Sequence, residues 1–111
     1  TTEDYPSFAI CEGEDLVAYI GTSKVLDELQ ILTVATAHSA RRKGYGRAIL
    51  STLDEYAKEH GISLISLEVR ESNVAAIELY RDAGYSVAGM RKNFYRFPTE
   101  NALVMIKNFD N

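Results

Sequence analysis

The hydrophobic and polar positions of this chain alternate in short stretches that predict β-strands. Runs rich in Val, Ile, Leu, Thr and Tyr, bounded by turn residues, are typical of strands. Six such runs occur, at residues 7–11, 16–20, 28–36, 62–69, 85–90 and 102–107. The acidic segment 12–15, which contains a glycine, predicts a hairpin turn, and the segment 21–24 (Gly-Thr-Ser-Lys) predicts a break after the second strand. A polar, aromatic loop is predicted between the last two strands.

Two further segments carry apolar residues at helical spacing. The first helix is predicted to begin after Gly46 and to run to His60, and the second covers residues 74–83 and can be capped by Ser72 or Asn73. The apolar stripe of the first consists of Ile49, Leu50, Leu53, Tyr56 and Ala57. The resulting order, β-β-β-α-β-α-β-β, predicts an α/β fold with a mixed sheet. Two helices cannot cover both faces of such a sheet, so one face is expected to lie open.

Composition narrows the class of protein. Hydrophobic residues make up 46% and charged residues 25%, which predicts one globular domain over residues 1–111. The net charge of −4 argues against a dedicated nucleic-acid binder and suits a positively charged substrate. The single cysteine, Cys11, excludes an intrachain disulfide, and no run is long and apolar enough to span a bilayer, so a cytoplasmic location is predicted. His38 and His60 lack partners at ligand spacing, so no metal is expected.

Residues 41–47 (Arg-Arg-Lys-Gly-Tyr-Gly-Arg) are the clearest candidate for chemistry. Glycines let a ligand approach the backbone, and the N-terminus of a helix offers unpaired N–H groups and a positive field. The segment therefore predicts a phosphate site. A P-loop is excluded because the run Gly-x-x-x-x-Gly-Lys-Ser/Thr is absent. A dinucleotide fingerprint is the rival, with Glu68 near the ribose position, but the third glycine is replaced by the bulky Ile49.

A family resemblance favours acetyl-CoA over a dinucleotide as the phosphate-containing ligand. Arg41-x-x-Gly44-x-Gly46 resembles the acetyl-CoA signature of the GNAT N-acetyltransferases. Residues 67–80 (Leu-Glu-Val-Arg-Glu-Ser-Asn-Val-Ala-Ala-Ile-Glu-Leu-Tyr), 83–85 (Ala-Gly-Tyr) and 91–95 (Arg-Lys-Asn-Phe-Tyr) resemble a narrower group, the bacterial ribosomal-protein-alanine N-acetyltransferases (RimI-type). The similarity runs from about residue 29 to residue 106. It departs from the group at Ala37-His38, where Asp-Pro is usual, and at Arg41, where Gln is commoner.

The resemblance implies a fold and a reaction. The fold is the GNAT (acyl-CoA N-acyltransferase) fold without its usual N-terminal strand and two helices, and the open sheet face that this leaves favours self-association. The reaction is transfer of acetyl from the cosubstrate acetyl-CoA to the N-terminal alanine amine of a ribosomal protein, by direct attack in a ternary complex. No metal, nucleic acid or membrane is involved. The alternatives are another protein N-terminus, a lysine or a small amine as acceptor, or a non-catalytic acyl-CoA-binding module.

The resemblance also assigns residues to this reaction. It implies that Glu68 accepts the proton of the amine and that Tyr80 donates a proton to the departing sulfur. The implied acetyl-CoA contacts are Val34, Ala35 and Thr36 for pantetheine, Arg41, Arg42, Lys43, Gly44, Tyr45, Gly46 and Arg47 for pyrophosphate, and Asn73 for the CoA arm. From the residues alone, plainer interpretations stay open. Glu68 can be a solvated strand-end acid, Tyr80 a core aromatic, Asn73 a helix cap, and the basic cluster a solvated loop.

Overall fold

A computed structural model describes residues 5–36 and 44–109. The described part contains six strands and two helices around one sheet. The elements are β1 (Ser7–Glu12), β2 (Asp15–Val25), β3 (Glu28–Thr36), α1 (Tyr45–Glu59), β4 (Leu64–Arg70), α2 (Val74–Asp82), β5 (Ser86–Tyr95) and β6 (Glu100–Asn108). The strands lie in the order β1-β2-β3-β4-β6-β5, and only β3 and β4 pair in parallel. The predicted mixed α/β sheet is therefore confirmed.

Two strands are several residues longer than predicted, and the other predicted strand ends lie within two residues of the observed ones. β2 does not break at Gly21 but continues to Val25, because its residues from Ala18 to Val25 pair with β3 across a bulge between Gly21 and Thr22. Buried Thr22 fits there because its Oγ1 donates to the Pro6 carbonyl at 2.6 Å. β5 extends to Tyr95 and β6 begins at Glu100, so most of the predicted loop between them is strand.

The two helices cover one face of the sheet. The apolar stripe predicted for α1 is buried at Ile49, Leu50, Leu53 and Ala57, with Tyr56 packed at its margin. These side chains form one core cluster with alternate residues of the strands and with Ile77 and Tyr80 of α2. In β4 the core positions are Ile65, Leu67 and Val69. Because side chains alternate along a strand, Ser66, Glu68 and Arg70 lie on the opposite face, which no described helix covers.

Neither helix meets the requirements for a membrane span. Within residues 5–36 and 44–109, no helix is both long enough and apolar enough to cross a bilayer.

Lys107 joins three elements at the end of the molecule away from the β3–β4 opening. Its Nζ donates to Asp54 Oδ2 of α1 and to the Ala83 carbonyl after α2, both at 2.6 Å. The same ammonium lies 5.9 Å from the centre of the Tyr85 ring. Burial, followed by the charge of Asp54 and the nearby Tyr80, raises the pKa of Tyr85 far above its usual value. Lys107 thus neutralises a carboxylate that packs against the core.

Replacing Lys107 by Met should lower the free energy of unfolding by about 2 kcal/mol, between the values for exposed and buried ion pairs. The Lys107 and Asp54 side chains are only 21% and 20% exposed, so the variant leaves a half-buried carboxylate without its cation. Urea unfolding followed by circular dichroism measures the change. Lys92→Met, which removes an exposed charge from β5, is the control and should unfold like the parent protein. Equal midpoints for all three proteins would contradict this role of Lys107.

Candidate active site

A cleft of about 880 Å³ opens between the end of β3, the start of α1 and one face of α2. It exists because β3 and β4 pair only from Glu28 to Gln30, opposite Leu64 to Ser66, and diverge beyond that point. The cleft is lined by Val34, Ala35, Thr36, Gly44, Tyr45, Gly46, Arg47, Asn73, Ala75, Ala76, Leu79 and Tyr80. Residues that are far apart in the sequence therefore meet in one cavity.

The end of β3 forms one wall of the cleft. Val34, Ala35 and Thr36 pair with β2 on one side, opposite Ile20, Tyr19 and Ala18. On the other side the described part of β4 offers them no ladder partner. Backbone groups on that side are available to an extended ligand, as at the edge of any open sheet.

The N-terminus of α1 forms the second wall. Gly44 is the N-cap, and its φ of 83° lies in the left-handed region, which glycine adopts without strain. The N–H groups of Tyr45, Gly46 and Arg47 belong to the first turn, where no intrahelical acceptor exists. The helix dipole adds a positive field at this point. An anionic group placed in the cleft would therefore find donors and favourable charge.

Two close contacts shape this wall. A Cβ on Gly46 would lie 3.1 Å from Leu79 Cδ2, so glycine lets α1 approach α2. The Tyr45 hydroxyl donates to the Glu12 carboxylate of β1, and this hydrogen bond is the main reason why the pKa of Tyr45 is raised.

Arg47 reaches Asp82 Oδ2 at 3.2 Å in an exposed ion pair, which is weak and leaves the cation free to reorient. The predicted contacts Arg41, Arg42 and Lys43 lie outside the described residues.

Asn73 and Tyr80 form the α2 wall. The Asn73 Oδ1 accepts from the Ala76 N–H at 3.2 Å, so the capping interpretation is correct, and the same residue lines the cleft. Tyr80 is only 9% exposed and packs edge to face against Tyr85, yet it also borders the cleft. Burial is the first cause that raises the pKa of Tyr80, and Tyr95 is the second. The phenol is therefore protonated at neutral pH and can donate a proton.

Glu68 lies outside the cleft lining, on the open face of β4. Its Oε2 accepts from Arg91 Nη1 at 2.5 Å, and its Oε1 accepts from Gln30 Nε2 at 3.3 Å. The Glu68 side chain is 16% exposed, so it is not the solvated acid of the plainer interpretation. Glu68 and Tyr80 lie on opposite sides of the sheet. The gap where β3 diverges from β4 connects the two sides.

Three residues near Glu68 were not singled out as site residues from the sequence: Gln30, Arg91 and Tyr95. After burial, the charge of Glu68 is the largest cause that raises the pKa of Tyr95, and Tyr95 in turn raises the pKa of Tyr80. Tyr95 therefore lies within electrostatic reach of both the carboxylate and the buried phenol. The Arg70 guanidinium stacks on the Tyr95 ring at 4.3 Å and holds it in place. The segment 91–95 carries the family resemblance in the sequence, but only the pairing of β4 and β5 with β6 shows that its residues lie near Glu68.

Within the described residues, no group of three or more His, Cys, Asp or Glu side chains is placed to hold a metal ion.

Comparisons with known proteins agree with this geometry. The sequence model of the Acetyltransferase (GNAT) family matches residues 1–85. The chain is 36% identical over 107 residues to the [ribosomal protein bS18]-alanine N-acetyltransferase of Escherichia coli K12, covering 93% of this chain and 71% of that protein.

Solved structures give the same result. The crystal structure of the ribosomal-protein-S18-alanine N-acetyltransferase from Escherichia coli superimposes with a TM-score of 0.93 at 33% identity, over 98% of this chain and 72% of that chain. A GNAT family acetyltransferase from Elizabethkingia anophelis with acetyl-CoA bound superimposes with a TM-score of 0.89 at 14% identity, over 97% of this chain and 78% of that chain. The second likeness concerns the fold alone.

Proposed function

Since the chain belongs to the GNAT acetyltransferase family, we propose that it transfers the acetyl group of acetyl-CoA to the N-terminal alanine amine of a ribosomal protein. The observation that carries the proposal is the cleft that unites the end of β3, the N-terminus of α1 and Tyr80, with Glu68 across the β3–β4 divergence. The acceptor is taken from the relatives named above. In this proposal residues 1–111 act as one domain in the cytoplasm, where ribosomal proteins are made.

Acetyl-CoA fits the cleft through its chemistry. The pyrophosphate would bind the first-turn N–H groups of Tyr45, Gly46 and Arg47, where unpaired donors and the helix dipole favour anions. The pantetheine arm carries amides that would pair with the free edge of β3 at residues 34–36. The side-chain amide of Asn73 would contact the same arm. Arg41, Arg42 and Lys43 would add positive charge.

The reaction then needs one base and one acid. The amine nitrogen attacks the thioester carbonyl carbon while Glu68 takes a proton from the nitrogen, directly or through a water. The C–S bond breaks, and the phenolic proton of Tyr80 goes to the departing sulfur. A free N–H of β3 would hydrogen-bond the carbonyl oxygen as negative charge develops on it. No acyl-enzyme is formed, so no nucleophilic side chain is required.

The test uses two acceptor peptides with the same basic composition. One starts with a free alanine, and the other has a blocked N-terminus and one lysine. We expect acetyl-CoA-dependent acetylation of the first peptide, located at the α-amine by fragment mass spectrometry. Acetylation of the lysine peptide or of polyamines alone would overturn the acceptor assignment. CoA binding without any transfer would instead favour an acyl-CoA-binding module.

Variants of Asn73 separate its capping role from its cofactor role. Asn73→Ala removes the acceptor for the Ala76 N–H and should lower the free energy of unfolding by about 1 kcal/mol. Asn73→Asp keeps a capping oxygen and should keep that stability. Both variants lack the side-chain NH₂, so both should bind CoA more weakly in calorimetric titrations. If Asn73→Asp binds CoA like the parent protein, Asn73 serves only as a cap.

A further inference from the structure

The Arg91–Glu68 pair places a positive charge next to the proposed base. Arg91 Nη1 lies 2.5 Å from Glu68 Oε2, while the other carboxylate oxygen is bound by Gln30 at 3.3 Å. Both oxygens of Glu68 are therefore already engaged by protein donors. An acceptor amine that reaches Glu68 must share this carboxylate with a guanidinium.

Arg91 is held where it is without being buried. Its side chain is 57% exposed on β5, at the rim of the sheet, and its guanidinium lies 4.5 Å from the centre of the Phe94 ring. Burial therefore does not fix the position of the Arg91 side chain. The strand register brings Arg91 within reach of Glu68, because Arg91 is opposite Ala102 of β6 and in line with Arg70 of β4, which is two residues from Glu68 on the same face.

Among the described residues, the other charged and titratable groups next to the pair add no net charge to it. Arg70, on the same face of β4, is paired with Glu100 of β6 at 3.2 Å, and Glu100 also accepts from the Ser72 N–H at 2.6 Å. Tyr95 of β5 is a neutral phenol whose pKa is raised, and β3 contributes the neutral Gln30. Glu68 and Arg91 thus form a locally neutral pair.

From this arrangement, and resting on the proposed function, we infer that Arg91 is a positioning residue that holds Glu68 and keeps the acceptor amine in its neutral form in the ternary complex. An ammonium would meet the guanidinium of Arg91 and, within residues 5–36 and 44–109, no unpaired negative charge beside Glu68. A neutral amine instead offers the lone pair that attacks the thioester. The proton of the ammonium is therefore lost to solvent when the acceptor binds. Without Arg91, the acceptor binds as an ammonium paired with Glu68.

Proton release on binding tests this inference without catalysis. An Ala-starting peptide is titrated into the protein saturated with CoA at pH 6.5, by calorimetry in buffers with different ionisation enthalpies. The free α-amine is about 95% protonated at this pH, so the parent protein should release close to one proton per peptide bound. Arg91→Gln should release few or none, and Arg91→Lys, which keeps a cation, should behave like the parent protein.

Steady-state kinetics gives an independent result. For the parent protein, KM for the peptide should fall about tenfold between pH 6.5 and 8 while kcat stays flat, because only the neutral amine binds. For Arg91→Gln, the dependence should move to kcat, because the bound ammonium must still lose its proton. Lys92→Gln removes the neighbouring exposed charge of β5 and should leave both profiles unchanged.

The outcomes are separable from failure of the proposed function. A parent protein that binds the peptide without releasing a proton overturns the role of Arg91, and so does an Arg91→Gln variant with unchanged proton release and unchanged profiles. A parent protein that neither binds nor acetylates the Ala-starting peptide overturns the acceptor assignment, and the inference falls with it. A uniform loss of kcat in Arg91→Gln at all pH values would show an orienting role only and would overturn the selection of the neutral amine.

Discussion

Glu68→Gln should lower kcat/KM for an Ala-starting peptide by about 10²–10⁴-fold, the usual contribution of a positioned general base. The amide keeps an oxygen for Arg91 Nη1 and the size of the side chain, so the open face should stay folded. It cannot accept the proton of the attacking amine. CoA affinity should not change, because Glu68 does not line the cleft. Initial rates from thiol release, together with CoA titration, measure both quantities.

The matched control for Glu68→Gln is Glu71→Gln. Glu71 is an exposed carboxylate just beyond the end of β4, so the variant makes the same charge change three residues away. It should retain the parent rate. If Glu68→Gln also retained it, the proton would have to leave by another route, and Glu68 would be only a partner of Arg91 and Gln30.

The cofactor side of the site could be predicted from the sequence because its determinants are local. Gly44 and Gly46 before the apolar stripe of α1 are visible in the sequence, and the helix begins at Tyr45, two residues earlier than predicted, with Gly44 as its N-cap. The predicted strand Glu28–Thr36 is confirmed at both ends, and its last three residues line the cleft. Each of these features depends on residues within a few positions of one another. Whether the side chains hold CoA stays a prediction.

The acceptor side could not be predicted in this way because it depends on long-range pairing. Arg91 contacts Glu68 only because β6 lies between β4 and β5, an order that no local pattern reveals. The continuation of β2 through Gly21 has the same cause, since its ladder with β3 outweighs the turn preference of glycine and serine. The predicted β5 ends five residues too early, because the polar residues of an exposed edge strand resemble those of a loop.

The identity of the ligand needed the family resemblance. A single Gly-x-Gly at a helix start is compatible with CoA and with a dinucleotide alike. The segments 67–80 and 83–85 removed the ambiguity, and the match to the GNAT family and to the Escherichia coli enzyme confirms the resemblance. The cleft at the divergence of β3 from β4 is the structural feature that distinguishes the two kinds of ligand site. A dinucleotide-binding turn needs no divergence of neighbouring strands, whereas an acetyl group that must meet an amine from the other face of the sheet does.

Tyr80→Phe should lower kcat by about 10²-fold with little change in CoA affinity, because the ring that packs in the core is kept and only the proton donor is lost. The cysteine thiol has a reference pKa near 8.5, so a comparable thiol holds its proton near neutral pH, and the sulfur of CoA should leave more slowly when no donor is present. Burial holds the pKa of Tyr80 above its ordinary value near 10. The donor is therefore present at all pH values below that point, and Tyr80 itself should cause no loss of kcat between pH 7 and 9.

Tyr85→Phe separates this chemical role from packing. Tyr85 is buried, contacts Tyr80 edge to face with ring centres 6.0 Å apart, and does not line the cleft. The Tyr85→Phe substitution removes a hydroxyl from the same aromatic pair but leaves the hydroxyl of Tyr80 in place. If catalysis needs the Tyr80 proton, Tyr85→Phe keeps its rate while Tyr80→Phe does not. Equal losses in the two variants would mean that the aromatic pair matters only for the shape of α2, and another group would have to protonate the sulfur.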